Sequence, residues 1–98
     1  MKFRFKDRKL YRLYTEEYGA KRYPPAVVDA FFEVMEVIAS AVSEQDLYNL
    51  KGLRYEKLKG ARAEEHSLRL NRQYRLIVRW EEETGERWLI ILSIEDYH

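Results

Sequence analysis

Cysteine is absent from the 98-residue chain, so it has no disulfide, thiol nucleophile or zinc–thiolate cluster. That composition suits a reducing compartment. With only four glycines and two prolines, collagen-like and linker-like sequence are excluded. No apolar run approaches the roughly 18 residues needed for a membrane-spanning helix. The opening MKFRFKDRK leads into charged sequence rather than a hydrophobic signal core. There is no Walker-type loop, dinucleotide fingerprint or metal-ligand spacing, and the glycine of KLKG (57–60) stands in too short a segment for a P-loop. No cofactor, metal or membrane is therefore expected. What is present is 46% hydrophobic and 36% charged sequence, enough for one core. The expectation is a single soluble cytoplasmic domain over residues 1–98.

The net charge of +1 conceals a block pattern. Residues 1–14 carry six basic and one acidic side chain, and residues 15–50 carry two and seven. Residues 51–79 carry nine basic and three acidic, and residues 80–98 carry one and six. Such blocks either build a positive face for a phosphate-bearing ligand or pair with one another on folding; composition is compatible with both.

Periodicity orders the elements. Phe3 and Phe5 alternate with Lys2 and Arg4 as in a short half-buried strand. Asp7 is placed to cap a helix with Leu10, Leu13 or Tyr14, and Tyr18 on its inner face, stopped at Gly19. Pro24 and Pro25 open a second helix with a core stripe of Val27, Phe31, Val34 or Met35, Ile38 and Val42. Asp29, Glu33, Glu36 and Ser40 mark its wet side. Ser43 and Asp46 resemble a capping box for a short helical turn. Strands follow at Leu53–Leu58, His66–Asn71, Tyr74–Trp80 and Trp88–Ile94, the last apolar on both faces as in a central strand. Thr84-Gly85 makes the final hairpin turn. The expected class is α+β, summarised as β-α-α-β-β-β: a mostly antiparallel sheet with two N-terminal helices on one face.

Alternation puts Ser67, Arg69 and Asn71 on one face and Leu68 and Leu70 on the other, with Arg75 on the neighbouring strand. Two convergent guanidinium groups hold a phosphate by forked, charge-assisted hydrogen bonds. The same pattern also describes a plain solvated face. His98 ends the sequence after Glu95, Asp96 and Tyr97. Nearby carboxylates favour the imidazolium and bring it into general-acid range, while Tyr97 offers a ring for base stacking.

The segments LKG (58–60), SLRLNRQYR (67–75) and EDYH (95–98) together resemble the HigB-like toxins of the RelE superfamily, also described as plasmid maintenance killer proteins. The resemblance runs over nearly the whole chain. It implies a compact microbial-ribonuclease-like fold and the toxin half of a type II toxin–antitoxin pair. It further implies metal-independent cleavage of mRNA in the ribosomal A site, and silencing by an antitoxin, a HigA-like helix-turn-helix protein. Arg69 and Arg75 match the basic residues at the scissile phosphate, and Asp96, Tyr97 and His98 match the catalytic tail. Lys59 matches a basic residue beside the RNA groove; with Lys57, Arg62 and Asn71 it makes up the expected RNA-binding set. The sequence also departs from the family. Glu56 stands where some members have a catalytic histidine, three residues before the lysine of LKG, and is a candidate base alongside Asp96. Ala61 replaces an aspartate, and Glu64-Glu65 adds negative charge near the groove. These changes leave open a rival reading: an antitoxin-binding or RNA-binding module of the same fold with little or no cleavage.

Overall fold

A parallel pair of strands joins the two ends of the described chain: β1 (Phe3–Phe5) lies beside β5 (Glu86–Asp96), with Phe3 opposite Leu89 and Phe5 opposite Ile91. The computed structural model describes residues 1–97. Between these strands run α1 (Arg8–Glu16), α2 (Pro25–Ser40), α3 (Glu44–Asn49), β2 (Glu56–Lys57), β3 (Glu65–Arg69) and β4 (Tyr74–Glu83). Short 3-10 turns occupy Ala20–Arg22, Lys51–Leu53 and Gly60–Arg62. The sheet has five strands in the order β1-β5-β4-β3-β2, antiparallel except at β1–β5. The α+β class and the central position of β5 are as expected. The β-α-α-β-β-β summary is corrected to three helices and four strands after them.

The helices cover one face of the sheet. Leu10 and Leu13 of α1 and Val27, Phe31, Met35 and Ile38 of α2 join Leu68, Leu76, Val78, Leu89 and Ile91 in one buried cluster. Burying side chains of this size contributes about 1.5–3 kcal/mol each. This cluster defines the inner face. Ser67, Ile77 and Ile90 are buried on the outer face, apart from it.

Local chemistry sets the element ends. The Asp7 carboxylate accepts from the Lys9 N–H at 2.7 Å and caps α1. The helix ends at Glu16, three residues before Gly19, because Glu17 turns left-handed (φ 55°) and the Glu17 and Tyr18 N–H groups bond back to Leu13 and Arg12 carbonyls. Tyr18, expected on the inner stripe, is therefore exposed. Val42 also leaves the α2 stripe: the Asp46 carboxylate accepts from the Val42 and Ser43 N–H groups and turns the chain outward, so Val42 is 89% exposed. The strand expected at Leu53–Leu58 shrinks to Glu56–Lys57, because Lys51–Leu53 forms a 3-10 turn closed by left-handed Arg54 (φ 47°).

Candidate functional site: an arginine row on the outer face of the sheet

The register places Arg69 directly opposite Arg75, and Arg75 directly opposite Glu95. Opposed residues of an antiparallel ladder project to the same side, so the three positions form a row across β3, β4 and β5, and at its β3 end Arg69 also borders a cleft with Glu33, Val34 and Val37 of α2 and the Lys51–Leu53 turn. Like charges directly opposite one another are destabilising, and the Glu56 carboxylate, 3.3 Å from Arg75, supplies part of the balance.

Arg75 is the anchored member. Its Nη2 donates to the Arg54 carbonyl at 2.8 Å, the Ser67 hydroxyl at 2.8 Å and the Glu56 carboxylate at 3.3 Å. Among the described residues its Nε is buried without a hydrogen-bond partner. One nitrogen thus makes all three contacts and fixes the plane of the guanidinium. Glu56 is itself exposed. Tyr97 also arrives: its ring lies 5.9 Å from the Arg75 guanidinium carbon, and its N–H is bound by the Gln73 carbonyl. His98 lies outside the described residues.

Other expected residues go elsewhere. Asp96 stands opposite Tyr74, so alternation turns it to the inner face, where its carboxylate accepts from Gln73 Nε2 at 3.1 Å. Arg62, expected on RNA, is clasped instead by carboxylates: it donates to both Glu95 oxygens at 2.9 and 2.6 Å and to Glu65 at 2.8 Å. These bonds hold the Glu95 carboxyl below its ordinary value and stabilise the Arg62 charge. The clasp carries the 58–64 segment across the outer face from β2 to β5, and it uses Glu65 of the acidic pair internally. Asn71 is a turn residue: its side-chain oxygen accepts from the Gln73 and Tyr74 N–H groups at 2.8 and 2.7 Å. Lys57 pairs with His66 in register, which turns it away from Glu56. Lys59 is exposed just before the 3-10 turn that carries Arg62.

Sequence reasoning left Ser67 and the Arg54 carbonyl without a role. Ser67 is fully buried, and its position two residues before Arg69 in S-x-R was the available signal. A backbone carbonyl leaves no such trace. His66 is also away from the row. It stacks on Tyr55 (4.8 Å, 8° between planes) near Glu44, and burial holds its imidazole below the ordinary value against the opposing pull of that carboxylate.

Among the described residues, no helix is long and apolar enough to cross a membrane, and no group of His, Cys, Asp and Glu is arranged to hold a metal. A family model described as the RelE-like toxin HigB of type II toxin–antitoxin systems matches residues 3–95. Toxin HigB-1 of Vibrio cholerae serotype O1 is 35% identical over 80 residues, covering 82% of this chain and 84% of that protein. A YoeB/ParE toxin from Agrobacterium tumefaciens shares the fold, with a TM-score of 0.60, 15% identity and full coverage of both chains. The chain therefore belongs to the HigB-like, RelE-like toxins of type II toxin–antitoxin systems, which implies an antitoxin partner.

Proposed function

We propose that the 98 residues act as one cytoplasmic toxin unit, an endoribonuclease that cuts mRNA in the A site of the ribosome and so stops translation. The observation that carries this reading is the directly opposed Arg69–Arg75 pair, with Glu56 3.3 Å from Arg75 and the Tyr97 ring beside it. In the proposed reaction the RNA 2′-hydroxyl attacks the adjacent phosphorus and gives its proton to Glu56. The bond from phosphorus to the 5′-oxygen breaks, and that oxygen takes a proton from His98. The products are a 2′,3′-cyclic phosphate and a 5′-hydroxyl. Arg69 and Arg75 balance charge on the pentavalent phosphate, Tyr97 stacks on a base, and Lys59 meets the RNA backbone. The nucleophile belongs to the substrate, so the protein's task is positioning and charge, and the ribosome shares the positioning. The antitoxin is proposed to be a HigA-like helix-turn-helix protein.

Induction of the wild-type chain, followed by mapping of message ends on ribosomes, tests the proposal. Growth arrest with new 5′-hydroxyl ends inside A-site codons is the expected result. Tight antitoxin binding with neither arrest nor new ends would establish the rival, a binding module without cleavage, which Glu56, standing where some members of the family have a histidine, favours.

A further inference from the structure

The basic N-terminal block is not used by the arginine row. Part of it is neutralised: Lys2 pairs with Glu86 at 2.7 Å and Arg4 with Glu83 at 3.0 Å, at the acidic β4–β5 hairpin. The rest converges elsewhere. A cavity of about 410 Å³ between α1 and the Ala20–Arg22 turn is lined by Arg8, Lys9, Arg12 and Arg22, with Tyr18 and Tyr23. Its one acidic lining residue, Asp7, already caps α1. A more open surface lined by Lys6, Arg8, Arg12 and Glu16 adjoins it.

The chain builds this cavity deliberately at the end of α1. Left-handed Glu17 and the bond from the Tyr18 N–H to the Arg12 carbonyl fold Tyr18 back over its own helix. The Arg12 guanidinium then lies 3.8 Å from the centre of the Tyr18 ring, and Glu16 is 3.6 Å from Arg12 Nε. Gly19 (φ 85°) opens the following turn, and a Cβ there would lie 3.6 Å from Arg22 Nε. Flat aromatic and guanidinium surfaces beside several cations suit a phosphodiester chain with unstacked bases. An acidic peptide would use the charge but not the flat surface. A cavity of this size is in the range that holds one small ligand or nucleotide unit.

We propose that this cavity binds single-stranded RNA at a second contact, on the helical side of the molecule and separate from the arginine row: phosphates on Arg8, Arg12 and Arg22, and one base against Tyr18 or Tyr23. The proposal rests on the reading that this toxin acts on RNA, and it adds where else RNA is held.

The test is fluorescence anisotropy with a ten-nucleotide 2′-O-methyl RNA, which lacks the nucleophile for cleavage, titrated at several salt concentrations from about 50 mM upward. The wild-type chain should bind, with ultraviolet crosslinks at Tyr18 or Tyr23. Arg12→Gln combined with Arg22→Gln should weaken binding at least tenfold. It should also lower the salt slope by about 1.4, at roughly 0.7 per lost phosphate contact on single strands. Arg12→Lys with Arg22→Lys, which keeps the charge, should retain most of that slope, and an unchanged unfolding midpoint certifies both variants. The inference is overturned if the wild-type chain does not bind, if the Gln variant binds within twofold of it, or if a decaglutamate peptide displaces the RNA more readily than unlabelled RNA does. The two readings fail separately. RNA binding lost at Arg12 and Arg22 in a chain that never cuts message leaves this site standing and removes the nuclease. Message cleavage with wild-type RNA affinity in the Gln variant does the reverse.

Discussion

Replacing Arg75 with glutamine tests whether the guanidinium is chemical or merely structural, and the structure predicts both effects separately. The side chain is 11% exposed and ties the Arg54 carbonyl, the Ser67 hydroxyl and the Glu56 carboxylate together through one nitrogen. Glutamine is too short to keep all three contacts. Ser67 is fully buried, so leaving its hydroxyl without a partner costs about 1–3 kcal/mol. In a domain of this size each kcal/mol lowers the Tm by roughly 4–8 °C. The chemical effect is distinct from that loss. If Arg75 stabilises charge on the pentavalent phosphate as an oxyanion donor does, its removal costs about 2.7–4 kcal/mol of transition-state stabilisation, or about 10²–10³ in rate. Arg75→Lys should recover little of this, because an ammonium cannot hold Ser67 and the Arg54 carbonyl while also forking onto phosphate. The assay is single-turnover cleavage of ribosome-bound message, run well below the unfolding midpoint of every variant. A folded Arg75→Gln protein that cuts within threefold of the wild-type rate would refute the assignment.

Gly85→Ala at the hairpin tip should lower stability by about 1–2 kcal/mol through left-handed strain alone, since φ is 80° and no atom lies within 4 Å of the added Cβ. Thermal unfolding measures the loss, and cleavage should be unchanged. Thr84→Asn, at φ 48°, should be stabilising in the same scan, because asparagine accepts that conformation more readily. His66 is held below its ordinary value of 6.5, chiefly by burial, so the unfolded chain binds its proton first as pH falls. The associated stability is complete above about pH 6.5 and declines as pH falls toward the depressed folded value. His66→Phe should flatten that part of the stability–pH curve, with an NMR titration of the ring giving the folded midpoint. Glu95 is held below its ordinary 4.5 by hydrogen bonds from Arg62, so its contribution is present above that pH and is lost as pH falls through the lower folded value. Arg62→Gln should remove this acid-side dependence, read from unfolding midpoints between neutral pH and about pH 3.

Elements whose evidence is local could be read directly. Asp7 caps α1, Pro25 opens α2, and Val27, Phe31, Val34, Met35 and Ile38 are buried at helical spacing. The alternation of Ser67 against Leu68 and Leu70 likewise separated the serine from the buried cluster that holds the two leucines. Boundaries depending on a partner could not be read. Glu17 ends α1 in a left-handed conformation that glutamate does not advertise. Arg62 looks like an RNA contact until Glu95, 33 positions away, is seen to occupy it.

Residue identity and spacing alone decided the class of the fold, the inner stripes of the helices and the shared face of Arg69 and Arg75, because periods of 3.6 and 2 are properties of neighbouring residues. Tertiary structure decided which end of β5 faces the site. Leu89 and Ile91 point inward, and strict alternation would send Ser93, Glu95 and Tyr97 inward after them. A bulge at Leu92 breaks the register, since Ile77 pairs with Ser93 and Val78 with Ile91. That one extra residue inverts the remainder of the strand: Ile94 packs into the core, while Glu95 reaches Arg62 and Tyr97 lies beside Arg75. Pairing with β4 creates the bulge, and no pattern within β5 itself encodes it.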